Sequence, residues 1–436
     1  MAGKDGGSGE GGRGVVECGS ETARRRAVAG MCVAGMAYYT AWKSWAFVGK
    51  EIMAELEVDK AALGSLSSAL ILAYAASKFV VAPLADTVDV RLMLAGGLAA
   101  SALVALAFAS VSSLPLMVLL WAGNGLLNGA WWPPCGKLLI FWFPPDQRGT
   151  WWGVVSTTRP LAGALLAFIV PPLAATYGWR MAIAIPSVVS LLAAGLVLAW
   201  TAPPPATAGE QSAASPVKVT AKKAAVKEAV SGNASSVSAL LTNPSMWWLN
   251  LACAFCLAVK VALGDWLVMW LEEKRGFDKA SAAALIFWLE VGYGSGSLTC
   301  GWISDTFCGG SRAKVNLWAQ VVASAALGWL FYGPLPAPQL SLPAVVFVFG
   351  AAINMPATLI GMVASEKVTP SLAATACGIV GGVGYLGASL CGFPLGALVQ
   401  AYGWPMAETL LVTFSVGAAI AMVPLIGDAP VPAHVE

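Results

Sequence analysis

Residues 124–163 read NGLLNGAWWPPCGKLLIFWFPPDQRGTWWGVVSTTRPLAG. They form two apolar runs joined by a short polar elbow. The first run is expected to end at Trp132-Pro133-Pro134, with Lys137 and Phe141-Trp142 running out to an interface; the elbow carries Asp146, Gln147 and Arg148. The second begins at Gly149 with Trp151-Trp152, as expected where indole rings sit at headgroup level. Further in, Arg159 stands in an otherwise uncharged run. A charge buried in hydrocarbon is expensive, so its presence there points to function.

The rest of the chain has the same character. Its mean hydropathy is +0.73. Of its 436 residues 58% are hydrophobic and only 11% charged, whereas soluble domains carry roughly a quarter charged residues. The chain reads as an all-α, polytopic membrane protein. Each crossing needs about 20 apolar residues, and cutting at the polar breaks gives twelve spans, near 27–49, 63–85, 92–112, 114–138, 149–173, 180–200, 246–271, 281–303, 315–333, 343–365, 372–400 and 405–427. With both ends cytoplasmic, fifteen of the 25 Lys and Arg fall on the cytoplasmic side and six outside, the asymmetry the positive-inside rule requires. A net charge of +2 gives no footing for a nucleic-acid partner.

The nine cysteines lie mostly within spans and read as small packing residues; Cys253-x-x-Cys256 has no βαβ context for redox or metal chemistry. The one histidine, His434, is five residues or fewer from the end, which excludes a buried histidine relay or zinc site. No metal, cofactor or catalytic constellation is expected. Residues 1–26 are a polar, Gly-rich tail, 27–200 a first six-helix bundle, 201–244 a solvated linker rich in Pro, Ala, Ser and Lys, 245–428 a second bundle and 429–436 a short tail. The sequon at Asn233 stays unglycosylated if that linker is cytosolic.

The halves repeat weakly. Val58-Asp59-Lys60-Ala61 matches Phe277-Asp278-Lys279-Ala280, and Leu84-Ala-Asp86 matches Ile303-Ser-Asp305, both offset by 219; Tyr177-Gly178-Trp179 matches Tyr402-Gly403-Trp404 at 225. Three matches at corresponding helix ends argue for a duplicated six-helix unit. Glycines crowd the eighth span (Gly292, Gly294, Gly296) and the eleventh. Gly382-x-Gly384-x-x-Gly387 follows no strand, so it reads as close helix packing and not as a dinucleotide site.

Four bases lie within spans: Lys43, one turn past Tyr39 and next to Trp42; Lys78, one turn past Tyr74; Arg159; and Lys260. Insertion scales charge each about 2.5–3.5 kcal/mol near the bilayer centre. Two intramembrane acids, Asp265 and Glu290, offset part of that charge, either by pairing with Lys260 or Arg159 or by packing at helix ends. About two positive charges are left over, and a phosphate group carries about −1.5 to −2. The alternative is that all four bases serve structural ion pairs and helix caps, with Lys78 snorkelling to the interface.

The run Asn124 to Lys137 with Trp132-Pro-Pro-Cys-Gly136-Lys137, the Trp142-Phe elbow and Arg148-Gly-Thr-Trp-Trp152 closely resemble the organophosphate:phosphate antiporters of the major facilitator superfamily, and among them the glucose-6-phosphate translocases. The likeness extends to Ala73-Tyr74, Ser77-Lys78-Phe79, Val259-Lys260, Gly264-Asp265-Trp266 and Leu289-Glu290-Val291-Gly292. It implies twelve helices in two pseudo-symmetric bundles and exchange of a sugar phosphate for inorganic phosphate at one central site, in a monomer whose partners are these anions and the lipid bilayer. It also implies gating turns at Asp86 and Arg91 and at Asp305 and Arg312. A basic pair from the first and seventh helices is implied to grip phosphate, which carries over to Lys260. The pattern breaks at the first helix, where Trp42-Lys43 stands for the family's Arg-Lys, and at the fifth, where Arg159 stands for a histidine or an uncharged residue. Arg159 is therefore expected to supply the missing guanidinium, with Tyr39, Trp42, Lys43, Tyr74 and Lys78 around it. The resemblance favours the endoplasmic reticulum membrane, with plastid envelope and plasma membrane as alternatives. The rival readings are a sensor that binds the anion without moving it and a transporter of a different anion.

Overall fold

The two prolines of the opening stretch begin a helix; they do not end one. The chain runs as α5 (Leu114–Asn128), breaks at Gly129–Trp131, and resumes as α6 (Trp132–Trp142) with Pro133 in the first turn. Proline suits that place because the first N–H groups of a helix have no intrahelical partner. The expected polar elbow is also helical: α7 (Pro145–Trp200) starts before Asp146. Arg148 donates to the carbonyls of Phe143 and Ile140, satisfying the end of α6.

The computed structural model describes residues 21–81, 84, 88–143, 145–201, 242–309, 311–334, 341–368 and 373–426, all of whose regular elements are helical. The first half comprises α1 (Glu21–Lys43), the short outer helix α2 (Gly49–Leu56), α3 (Lys60–Val80), α4 (Val90–Ser110), α5, α6 and α7. The second comprises α8 (Pro244–Arg275), α9 (Lys279–Phe307), α10 (Arg312–Tyr332), α11 (Ser341–Glu366), α12 (Ala373–Ser389), α13 (Phe393–Tyr402) and α14 (Trp404–Met422). Eight described stretches are long and apolar enough to cross a bilayer unaided. The stretch 150–200 crosses twice, turning at Gly178 (φ 80°). The polar-studded α1, the broken α5–α6 pair and the glycine-rich α9 complete twelve spans. α1 begins at Glu21, inside the stretch expected to be tail, while 1–20, most of the linker (202–241), the tail 429–436 and Asp86 lie outside the described residues.

The sequence repeat is a structural one. Asp59 and Asp278 each cap the helix that follows, accepting from Ala62 N and Ser281 N. The Ser281 bonds hold the Asp278 carboxyl below its ordinary range. Gly178 and Gly403 share one backbone conformation (φ 80° and 76°, ψ 164° and 178°) that only glycine adopts freely. The next residue in each case is a tryptophan whose indole N–H donates to a glutamate near the end of a helix at the same end of its half: Trp179 to Glu55 of α2 and Trp404 to Glu273 of α8. Arg180 adds two bonds to Glu55, holding that carboxyl below its ordinary range, and caps α4 through the carbonyls of Ala109 and Val111.

At these same ends the halves are tied by ion pairs that cross between them: Lys50 to Glu272 at 2.8 Å, Lys60 to Glu273 at 2.9 Å, and Lys279 to Glu51. One apolar core, including Trp45, Phe47, Trp266 and Trp270, runs through both halves beneath them. Toward the opposite face the core divides, with a first-half cluster around Met31, Trp131 and Trp142 and a largely second-half cluster around Met246, Ile360 and Val363. The halves are thus sealed at the end bearing α2, which the positive-inside reading places outside, and part toward the other. The described residues of the expected gating turns do not bridge the halves: Arg91 pairs with Asp89, two residues away, whose carboxyl it holds below the ordinary range, Arg312 pairs with Glu366 in its own half, and Asp305 is exposed at the end of α9.

Close helix approach explains part of the glycine pattern. A Cβ on Gly292 would lie 2.4 Å from the Phe347 carbonyl oxygen, and one on Gly296 2.2 Å from that of Ala351, so α9 and α11 meet backbone to backbone. Gly294 faces Pro160 at ordinary distance, and Gly378 and Gly381 have open space. Gly292→Val should lower stability in detergent by about 1–3 kcal/mol, because backbone atoms cannot step aside. Gly381→Ala should leave it unchanged or slightly raised. Denaturant titration of the two variants checks the contrast.

Candidate functional site

Between the halves lies a cavity of about 280 Å³. Its walls come from α1 (Tyr39, Trp42, Lys43), α3 (Ile71, Tyr74), α6 and α7 (Trp132, Trp152, Ser156, Arg159), α8 (Lys260, Gly264, Asp265), α9 (Glu290, Tyr293, Ser297), α11 (Asn354, Thr358) and α12 (Tyr385). All the bases and acids singled out within spans except Lys78 line it. The end of α1 is held in place by Asn124, the first residue of the opening stretch: its amide donates to the Ala41 carbonyl and accepts from Ser101.

Lys43 is fully engaged. Its ammonium lies 2.8 Å from Asp265, with side-chain exposures of 6% and 7%, and also donates to the Gly264 carbonyl; Ser67 donates to the other Asp265 oxygen. Asp265, expected either to pair with Lys260 or Arg159 or to pack at a helix end, therefore pairs across the halves with Lys43. The reason is positional, since Lys43 and Asp265 meet at the sealed end of the cavity, where an uncompensated charge would have no water.

Arg159 is treated differently. Among the described residues it makes no hydrogen bond or ion pair; its guanidinium lies over the rings of Tyr39, Trp42 and Trp131, at 5.1, 5.2 and 5.2 Å from their centres. Ring faces attract the cation but leave its in-plane N–H donors unsatisfied. Trp42 is consequently held on both sides, beneath Arg159 and edge-on to Tyr74 at 5.0 Å. Lys260 likewise reaches no carboxylate among the described residues: it donates to Asn354 and lies 4.9 Å from the Tyr293 ring centre. Asn354 donates in turn to the Tyr293 carbonyl and to Ser297, which fixes its oxygen toward the lysine.

Lys78 is the expected site residue that the cavity leaves out. It donates to the Tyr74 hydroxyl at 2.8 Å and lies over the rings of Tyr74 and Tyr385, at 4.2 and 5.8 Å. It thus backs the wall without forming it. Glu290, 1% exposed, accepts from Tyr39 through one oxygen, and the other has no partner among the described residues. Its carboxyl rests against Gly163, where a Cβ would come within 2.5 Å. Sequence reasoning missed Asn354, Tyr293, Tyr385, Ser297, Thr358 and the Trp132–Trp152 stack (4.7 Å) that forms part of the wall. Asn354 had a signal, an amide in the apolar run Phe349-Gly-Ala-Ala-Ile353; the hydroxyls and aromatic rings had none, since such residues also fill cores.

A central cavity between two pseudo-symmetric six-helix halves, with bases from both, defines an integral membrane transporter fold. The chain matches the family model of the Major Facilitator Superfamily over residues 30–392 and belongs to that family. It is 32% identical over 383 residues to a probable hexose phosphate transport protein of Chlamydia muridarum, covering 84% of this chain and 83% of that one. It is 30% identical over 370 residues, with the same coverages, to the membrane sensor protein UhpC of Salmonella typhimurium. Among solved structures it superposes on the nucleoside transporter NupG (D323A mutant) with a TM-score of 0.72 at 16% identity, covering 91% of this chain and 99% of that one, a likeness of fold alone.

Proposed function

We propose that this protein is a secondary-active transporter that exchanges a phosphate ester, of the sugar-phosphate class, for inorganic phosphate by alternating access. The observation that carries the reading is a pair of cations, Arg159 of the first half and Lys260 of the second, lining one cavity with no carboxylate among the described residues bonded to either. A guanidinium whose donors are unspent inside a membrane suits the oxygens of a phosphate, and a phosphate's charge of about −1.5 to −2 matches the two cations. In this reading Arg159 and Lys260 grip the anion, Tyr39, Trp42 and Tyr74 wall it, Lys78 orients Tyr74, and Lys43 with Asp265 closes the cavity floor. The halves 27–200 and 245–428 rock about that site in a monomer. Cations left unneutralised resist enclosure, so the empty carrier reorients slowly and transport proceeds by exchange. The likeness to glucose-6-phosphate translocases points to the endoplasmic reticulum membrane, while the bacterial relatives favour a plasma membrane.

Trapped internal phosphate should stimulate uptake of a labelled hexose phosphate into proteoliposomes. Equal uptake into phosphate-free vesicles overturns the exchange mechanism. Binding without any counterflow would instead establish the second reading, a phosphate-ester sensor, which the 30% identity to a protein named as a membrane sensor supports.

A further inference from the structure

Of the two carboxylates that line the cavity among the described residues, Asp265 is taken up by Lys43, and Glu290 is left without a part in the proposed function. It is 1% exposed, and its second oxygen is buried without a partner among the described residues. The charged and titratable groups around it come from every side of the cavity: Tyr39 and Lys43 of α1, Arg159 of α7, Lys260 and Asp265 of α8, and Tyr293 of its own helix; α11 contributes the neutral Asn354. Lys43 and Asp265 cancel each other in a direct pair. What remains on the walls is two cations, Arg159 and Lys260, and one carboxylate.

That sum fits an empty cavity better than a filled one. With Glu290 ionised the empty site carries a single net positive charge. A doubly charged phosphate entering it would leave one net negative charge enclosed in low dielectric, next to a carboxylate oxygen that no donor satisfies. With a proton on Glu290 the two cations and the dianion balance. Gly163 and the Tyr39 hydroxyl hold the carboxyl in the wall, so it cannot turn away from the anion to relieve the conflict. We infer that Glu290 is a proton site coupled to the anion site: it takes one proton from the solution when a phosphate dianion enters and returns it when the anion leaves, so that each half-cycle carries a proton with the phosphate. The inference rests on the phosphate reading of the cavity.

The test is the number of protons taken up per inorganic phosphate bound to the detergent-solubilised protein. It is measured by titration calorimetry in two buffers of different ionisation heat at about pH 8.5, where free phosphate is already doubly charged. Wild-type protein should take up about one proton per phosphate, and Glu290→Gln about none. Comparing the two removes any proton that belongs to phosphate itself. Wild-type binding without proton uptake overturns the inference, as does uptake that persists in Glu290→Gln. The wild-type count decides even if the variant does not fold. Absence of any phosphate binding by folded wild-type protein is the separate outcome that rejects the phosphate reading and the proton site with it.

Discussion

Replacing Arg159 by glutamine should reduce phosphate exchange by at least about 30-fold while the protein remains folded. Truncating one partner of a buried, charge-assisted contact costs about 2–5 kcal/mol, and each 1.4 kcal/mol is roughly a factor of ten. The guanidinium is held by three aromatic faces and makes no hydrogen bond to any described residue. Its removal therefore breaks no described hydrogen bond or ion pair and should change binding far more than stability. Arg159→Lys should recover only part of the loss, because an ammonium keeps the charge but cannot present two parallel N–H groups. Initial rates of labelled phosphate exchange, read beside thermal stability in detergent, check both variants. Unchanged exchange in Arg159→Gln would reject the role proposed for this residue.

Asp265→Ala should have the opposite signature, a large loss of stability. It leaves the Lys43 ammonium buried with only the Gly264 carbonyl to accept from it, and breaking a buried pair in this way costs about 3–5 kcal/mol. Lys43→Ala in the same chain should restore much of that, since removing both charges also removes the desolvation burden. A double-mutant cycle by denaturant titration in micelles measures the coupling. A single Asp265→Ala variant within about 0.5 kcal/mol of wild type would show that water reaches the pair.

Architecture was legible because hydrophobic run length and the repeated Asp-Lys and Gly-Trp turns are local signals with local causes. A capping aspartate and a positive-φ glycine mark a helix boundary wherever they occur. The pairing of charges was not legible. Asp265 is close in sequence to Lys260, but successive turns of α8 point it at the sealed end of the cavity, where the residue opposite is Lys43 on another helix. The same depth separation removed Lys78 from the lining, although its spacing from Tyr74 repeats that of Lys43 from Tyr39. The prolines of 133–134 misled because two prolines after an apolar run look like a stop, whereas a break three residues earlier turns them into a start. The unclaimed guanidinium could be suspected from the misfit at Trp42, but only the structure shows it lying over three rings with no described residue accepting from its donors.

The seal at the α2 end was built by copying. Lys60 and Lys279 occupy equivalent places in the two repeats, and each reaches a glutamate in the half to which it does not belong. A cross-linked arrangement of this kind cannot be undone one repeat at a time: separating either pair moves the body that carries the other. The inherited symmetry thereby makes the outer door a two-leafed one whose leaves swing together, and a substitution in one repeat should be felt through its twin.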